Sequence, residues 1–563
     1  MFPKGRYDFW PAKASQRHYF ISNHTSVESR AVAMPLEGMK NLTLDGQGSS
    51  FVFHGLILPI SIVGGSNITL RNFSIDYATP HDLQTTVVRT ADGTVDLRVA
   101  AGSKYAIEDN HVYTVGEDWK GPISASQEND AKSRGVAWNT RAYLDFAKVN
   151  ARELSPGLIR ISGLPVKPTL GNILILWNHL DRPYPAIWVS ESKTTSVTNV
   201  DVHSAIGMGF LAQRSEDVHL EGYRVSLAEG SSRYVTTIAD AAHFSGCRGK
   251  LIVENGLYEN MLDDGINVHG TYLRIVKQVS PDTLLLEWPH FQTFGFTFTA
   301  PGEHLQFVRA STLLGHGEGI VKSVSRPDEK HVLVTFESSL PSHLSTEDVV
   351  DNIDWQPSVI YRHNTVRHNR SRGSIFKTTK GVEVEDNTFD HLSGPGVLLA
   401  ADASKWYESI PGSNITIRHN HFIDQISTYG PAPIFIKPAV TLSDEPKAYN
   451  VRNIRIEDNT FDVFQRPLLD ATSVDGLIFR NNTVRLNTDY QPIAPKDAPT
   501  YSLHHARCID LGPNQLPWKV TEGDISKQDV ELLRIDVPSH NAPIRDGTKT
   551  LWETACAASL QRQ

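Results

Sequence analysis

Gly381-Val-Glu-Val-Glu-Asp-Asn387-Thr-Phe389 is the stretch that decides the fold. Apolar and polar residues alternate through it, as along a strand with one buried face, and it closes on an Asn-Thr-aromatic turn. The ending recurs on a ruler: Asn364-Thr-Val stands 23 residues before Asn387, and Asn459-Thr-Phe stands 23 before Asn482-Thr-Val. A repeat of this size, with short strands and an asparagine at the corner, is one coil of a β-solenoid. The wider gaps, 33 from Asn387 to Asn420 and 39 from Asn420 to Asn459, are what loops added to a coil produce. Such loops often build a binding face.

Working outward, the alternation appears in Asn41-Leu-Thr-Leu-Asp45, Asn67-Ile-Thr-Leu-Arg71, Val197-Thr-Asn-Val-Asp-Val202, Lys250-Leu-Ile-Val-Glu-Asn255, Asn414-Ile-Thr-Ile-Arg418 and Asn453-Ile-Arg-Ile-Glu457. The chain is expected to be all-β, with solenoid coils in residues 1–79, 186–270 and 356–485. Residues 80–185 and 271–355 carry strand-like runs without the asparagine turn and read as inserted antiparallel β-subdomains. Beyond 486 the repeat is lost, and residues 486–563 read as a tail draped on the solenoid or partly disordered. The Asn-x-Ser/Thr matches at Asn41, Asn67, Asn72 and Asn414 read as turn grammar rather than glycan acceptors.

The net charge of -9, with no long basic run, argues against nucleic acid and suits a neutral ligand. No 18-residue apolar stretch announces a membrane span. Met-Phe-Pro-Lys-Gly-Arg-Tyr7 lacks the regions of a signal peptide and runs straight into strand-like sequence, so the start reads as a truncation or a misplaced initiation site. Cys247, Cys508 and Cys556 are scattered and read as three free thiols.

Asp240 and Asp263 lie 23 residues apart, on the repeat ruler, with Asp264 adjacent. If they share the register, their Cα atoms lie about 4.8 Å apart and three carboxylates crowd one patch. Such carboxylates cannot all ionise freely, which leaves a proton donor beside bases, the equipment for glycoside hydrolysis. A regular strand would send Asp263 and Asp264 to opposite faces, so Gly265 is expected to bend the chain. Acidic residues before glycine are also ordinary turn formers. His243, Asn267 and His269 are candidates to orient a carboxylate or bind a hydroxyl, and Trp406 and Glu408, in a long loop, to stack on and hold a sugar. Trp177, Trp188, Gln213 and Arg214 are weaker candidates with core or ladder roles. No short His or Cys pair supports a metal, and no cofactor is expected.

Phe2-Pro-Lys-Gly-Arg-Tyr-Asp-Phe-Trp-Pro11, Leu42-Thr-Leu-Asp-Gly-Gln-Gly48, Gly207-Met-Gly-Phe-Leu-Ala-Gln213, Asp240-Ala-Ala-His-Phe244, Asp263-Asp-Gly-Ile-Asn-Val-His-Gly270 and Trp406-Tyr-Glu-Ser409 together resemble glycoside hydrolase family 110. The resemblance covers most of residues 2–485. It implies a right-handed parallel β-helix with two β-barrel insertions and an exo-acting, inverting α-galactosidase. The implied partner is a glycan ending in α-1,3-linked galactose, of blood group B or linear type. It also implies that Asp240, Asp263 and Asp264 are the catalytic carboxylates, on a pattern similar to polygalacturonases; which is acid and which base stays open, Asp263 as acid with the other two gripping water being one arrangement by analogy. A secreted or periplasmic protein is implied as well. The rival readings are a β-helical lyase or epimerase acting on uronates, which a Lys or Arg in register with the aspartates would favour, and a non-catalytic glycan-binding solenoid.

Overall fold

The structure is a computed structural model that describes residues 2–427, 430–443, 448–535, 554–557 and 559–560. Its body is a parallel β-helix. Interior side chains stack from coil to coil in one column, Val359 on Val382, then Ile415, Ile454, Leu477 and Ile509. The aromatic of the turn motif stacks likewise, with Phe389, Phe422 and Phe461 centred 5.0 and 4.8 Å apart, the spacing of neighbouring strands.

The corner explains the asparagine. The residue before it is left-handed, at His363, Asp386, His419, Asp458 and Asn481 with φ between 54° and 58°, and these side-chain types tolerate that conformation. A corner of this kind buries an N–H that no strand can satisfy. The N–H of Asn364 donates to Oδ1 of Asn387, and the pattern passes to Asn420, Asn459 and Asn482, each step 2.9 Å.

The ladder then continues where the sequence repeat stops. Asn482 N–H donates to Asn514 at 2.9 Å, and two further strands, Tyr501–Leu511 and Ile525–Ile535, extend the parallel sheet. The expected tail therefore holds further coils. They escape notice because Asn514 is followed by Gln515-Leu instead of Thr and an aromatic. The reading of three free thiols is corrected too. Cys508 on this added strand is disulfide-bonded to Cys556, 48 residues on, and only Cys247 remains a buried thiol. No spacing rule links such a pair; the chain's return to the helix joins them, where Arg455 also donates to the carbonyl of Leu560.

Two antiparallel units interrupt the helix without disturbing its stacking. Ser66–Tyr77 pairs directly with Lys193–Val202, and Arg248–Glu254 with Pro357–Arg362. The first unit is a six-stranded sheet running from Asp82–Ala91 to Ile173–Trp177, and the second is a closed six-stranded barrel from Leu273–Ser280 to Asp348–Asn352. Each has its own apolar core. Trp177 and Trp188 are core residues. Gln213 anchors the amino-terminal segment through Ser22 N and Phe20 O, and Arg214 pairs with Glu303 of the barrel unit. Asn41, Asn67, Asn72 and Asn414 occupy left-handed corners. Among the described residues no helix is long and apolar enough to cross a membrane.

Candidate active site

Four short strands, Phe210–Gln213, Ala242–Ser245, Ile266–Thr271 and Ser374–Phe376, stack in parallel, with Ala242 against Ile266 and Ile266 against Ser374. Carried two residues back, this register puts Asp240, Asp264 and Arg372 in one column. The backbone agrees: Ala241 N–H donates to Asp264 O at 2.9 Å and Gly265 N–H to Arg372 O at 3.0 Å. The step from Asp240 to its neighbour on the next coil is thus 24 residues, to Asp264, and the expected pairing with Asp263 is off by one. Gly265 is glycine because the coils touch there: a Cβ would lie 2.4 Å from Gly373 O. That close approach, and not a left-handed bend, sets the corner from which Asp263 and Asp264 reach one cavity.

The structure brings the three aspartates together, with one oxygen from each within 4.8 Å of the others, and all three are buried. Their partners differ. Asp263 receives Arg182 at 2.9 Å and Arg370 at 3.1 Å. Burial would raise its pKa, but those two guanidiniums outweigh burial and hold it well below the usual carboxylate range. Asp264 is gripped by Arg372 through the side chain (2.7 Å) and the backbone N–H (2.9 Å), yet burial still pushes it upward. Burial, together with the charge of Asp263, pushes Asp240 upward as well. Interacting carboxylates titrate as a set. The site therefore has one firmly ionised member, Asp263, and a stacked pair, Asp240 and Asp264, that favours holding a proton.

Around them lies a cavity of about 240 Å³ whose wall includes Asn23 of the amino-terminal segment, Leu144 of the first inserted unit, and Trp406 and Glu408. It is smaller than the ~300–1,000 Å³ of drug-sized sites and suits one sugar ring. His243 and Asn267 occupy matching positions on adjacent coils, and His269 lies two residues further along. Nδ1 of His243 lies 2.7 Å from Asp240 Oδ2, and the two histidines meet through their Nε2 atoms at 2.7 Å. Burial lowers the imidazole pKa values to about 4 for His243 and about 3 for His269. His269 is absent from the cavity wall, so of the expected sugar contacts it stands one layer back.

Glu408 arrives on a strand that pairs antiparallel with Gly270–Thr271. It is ion-paired with Lys377 and receives Asn267 Nδ2 at 3.3 Å. Burial opposes its charge, but the Lys377 ammonium beside it helps hold its pKa well below the usual range. Trp406 is half-buried, tilted against His290 at 4.4 Å with the Arg182 guanidinium 5.7 Å from its ring centre. Two sets, His243 with His269 and Glu408, and the three aspartates, have donor atoms close enough for a cation. Lys377 already supplies the positive charge at Glu408, and the arginines supply it at Asp263 and Asp264.

Sequence reading missed Arg182, Arg370, Arg372, Asn23 and Lys377. One signal was present: Arg372 lies 108 residues after Asp264, but with residues 271–355 excised it falls on the next coil.

A sugar-sized polar cavity floored by buried carboxylates whose pKa values are pushed in opposite directions is the equipment of a glycoside hydrolase. Residues 83–174 match the family described as GLAA-B beta-barrel domain I, residues 283–350 match GLAA-B beta-barrel domain II, and residues 328–484 match the right handed beta helix region. The chain is 39% identical over 510 residues to alpha-1,3-galactosidase B of Bacteroides fragilis, covering 87% of this chain and 86% of that protein. It is also 39% identical to alpha-1,3-galactosidase B of Phocaeicola vulgatus, covering 88% and 86%. Among solved structures it is similar to the family 28 exopolygalacturonase of Yersinia enterocolitica, with 9% identity, a TM-score of 0.38 and coverage of 95% and 73%. The chain belongs to glycoside hydrolase family 110, and its β-helix is right-handed.

Proposed function

We propose that this protein is an exo-acting α-1,3-galactosidase that releases terminal galactose from blood group B or linear α-1,3-galactosyl structures with inversion. The observation that carries the reading is the three-aspartate cavity, sized for one sugar, in a chain 39% identical to proteins named for this activity.

Inversion needs an acid on the glycosidic oxygen and a base holding water on the opposite face. Asp240 and Asp264, stacked on adjacent coils, are the pair suited to hold that water. Asp263 has the greatest exposure of the three, 8% against 3% and 2%, and reaches the leaving oxygen. To act as acid it must gain a proton when the sugar arrives, and sugar hydroxyls that take up Arg182 and Arg370 would loosen their hold on its charge. The oxygens lie closer than the ~6.5–9.5 Å of a two-carboxylate inverting pair, so inversion rests here on a water shared by two carboxylates. An arginine in register with the aspartates does exist, the feature expected of a uronate enzyme. Arg372 is engaged by Asp264, however, and Arg182 and Arg370 by Asp263.

Two measurements test the reading. NMR of the first turnovers on α-1,3-galactobiose is expected to show β-galactose; first-formed α-galactose rejects inversion. Asp263→Asn is expected to lose ~10²–10⁴-fold on the disaccharide but far less on a nitrophenyl galactoside, whose leaving group needs no acid. Asp240→Asn and Asp264→Asn are expected to lose both substrates alike. The reverse pattern would move the acid to the stacked pair.

A further inference from the structure

Asp240, His243 and His269 form a single hydrogen-bonded string that ends on the backbone carbonyl of Gly270. The end of the string fixes its protons. A carbonyl oxygen only accepts, so His269 Nδ1, 2.5 Å from Gly270 O, must carry hydrogen. A neutral His269 then offers a bare Nε2, and His243 Nε2, 2.7 Å away, must donate to it. His243 Nδ1 is left as an acceptor, 2.7 Å from Asp240 Oδ2, and the donor across that gap is the carboxylic acid of Asp240. Moving this proton onto His243 would create an imidazolium in a site that already holds Lys377 and Arg182. The string thus holds one proton beyond a carboxylate and two neutral imidazoles.

We propose that His243 and His269 are positioning residues that keep the reaction's proton on Asp240 while the site is empty. This rests on the galactosidase reading above for the reaction it serves. When the sugar arrives, the proton leaves Asp240 for Asp263, which makes Asp263 the acid and Asp240 a base in the same move. At bond cleavage Asp263 gives the proton to the departing oxygen, while the attacking water gives one to Asp240. Asp263 ends as a carboxylate and Asp240 as an acid, which is the resting state again, so the cycle balances without any other donor. The charged and titratable groups facing the string are Asp263, Asp264, Glu408, Arg182, Arg372, Lys377 and His24. His269 does not itself line the cavity; it reaches the site through His243, and its Nε2 also lies 3.6 Å from Glu408 Oε1.

His269→Met removes the acceptor for His243 Nε2–H and lets His243 reverse its tautomer, donating from Nδ1 to an ionised Asp240. The alkaline limb of kcat/KM is then expected to move about one pH unit toward acid, about tenfold in rate on that side. His269→Gln, whose amide oxygen accepts, is expected to restore the limb. A residue that only filled space would lower activity without moving it. In the unsubstituted protein, ¹⁵N NMR of labelled histidine is expected to show His243 protonated at Nε2 and bare at Nδ1. That measurement needs no turnover, so it tests the string even if the substrate reading fails. A folded His269→Met protein with unmoved limbs, a His243 protonated at Nδ1, or a stoichiometric divalent ion found by elemental analysis would each overturn the proposal.

Discussion

Replacing Asn420 by alanine tests the corner logic on which the whole helix depends. Asn420 Oδ1 accepts from the N–H of Asn387 at 2.9 Å and from its side-chain amide at 3.0 Å. Its own amide donates to Val384 O at 2.8 Å, Arg418 O at 2.9 Å and Asn459 Oδ1 at 3.0 Å. Truncation leaves the buried N–H of Asn387 without that acceptor, which costs ~1–3 kcal/mol, and removes the donations of two amide hydrogens shared among three acceptors, worth ~0.5–1.5 kcal/mol per hydrogen. The expected loss is therefore about 2–6 kcal/mol. Asn453→Ala is the control, because it stands at a half-buried corner where its amide donates to Asn414 at 3.0 Å outside the buried ladder, and it should cost less than Asn420→Ala. Urea unfolding followed by circular dichroism compares the two, with hydrogen exchange reporting whether protection is lost first in the coils that contain Asn387 and Asn420. Because Asn420 lines no part of the cavity, kcat/KM of the folded variant should be unchanged. Equal midpoints for Asn420→Ala and Asn453→Ala would refute the ladder as a load on stability.

Thiol titration of the unfolded protein should count one group without reductant and three after it, since only Cys247 is free; three from the start would mean that Cys508 and Cys556 are unpaired. His81 is half-buried and stacked on Trp119, its buried Nε2 has no partner among the described residues, and burial lowers its pKa to about 3. The unfolded chain, at ~6.5, binds that proton first, so His81 lowers stability as pH falls below ~6.5 toward its folded value. His81→Phe, which keeps the ring contact, should flatten the dependence of unfolding free energy on pH between 6 and 4, and an unchanged slope would refute the assignment.

The sequence made the coil visible because Asn387-Thr-Phe repeats a physical necessity, a buried corner N–H and a stacked ring. It concealed the last coils because Asn514 performs the same task without Thr or Phe beside it. At the site the ruler found the three aspartates but paired the wrong two. One residue more in the coil between Asp240 and Asp264 shifts the register, and no side chain in that stretch marks where it was inserted. Arg370 and Arg372 stayed hidden for a different reason. The barrel that separates them from Asp264 in sequence vanishes in the stacking, since the strand Ser374–Phe376 lies directly on Ile266–Thr271. Arg182, Asn23 and Trp406 reach the cavity from segments that obey no repeat.

That single-residue shift has an electrostatic consequence. In the observed register Asp264 stands between Asp240 and Arg372, while Asp263 turns to Arg182 and Arg370. Arg182 and Arg370 are thus engaged by Asp263, Arg372 by Asp264 and Lys377 by Glu408. A charged ligand would have to displace or share one of these ion pairs, costly where both charges are desolvated. A neutral sugar pays no such penalty. Its hydroxyls can accept from Arg182 and Arg370 and donate to Glu408, and each such exchange moves charge at Asp263, the carboxylate nearest the opening. The engagement of these cations favours a neutral hexose over a uronate, and the same contacts that recognise it supply a reason for the proton to move.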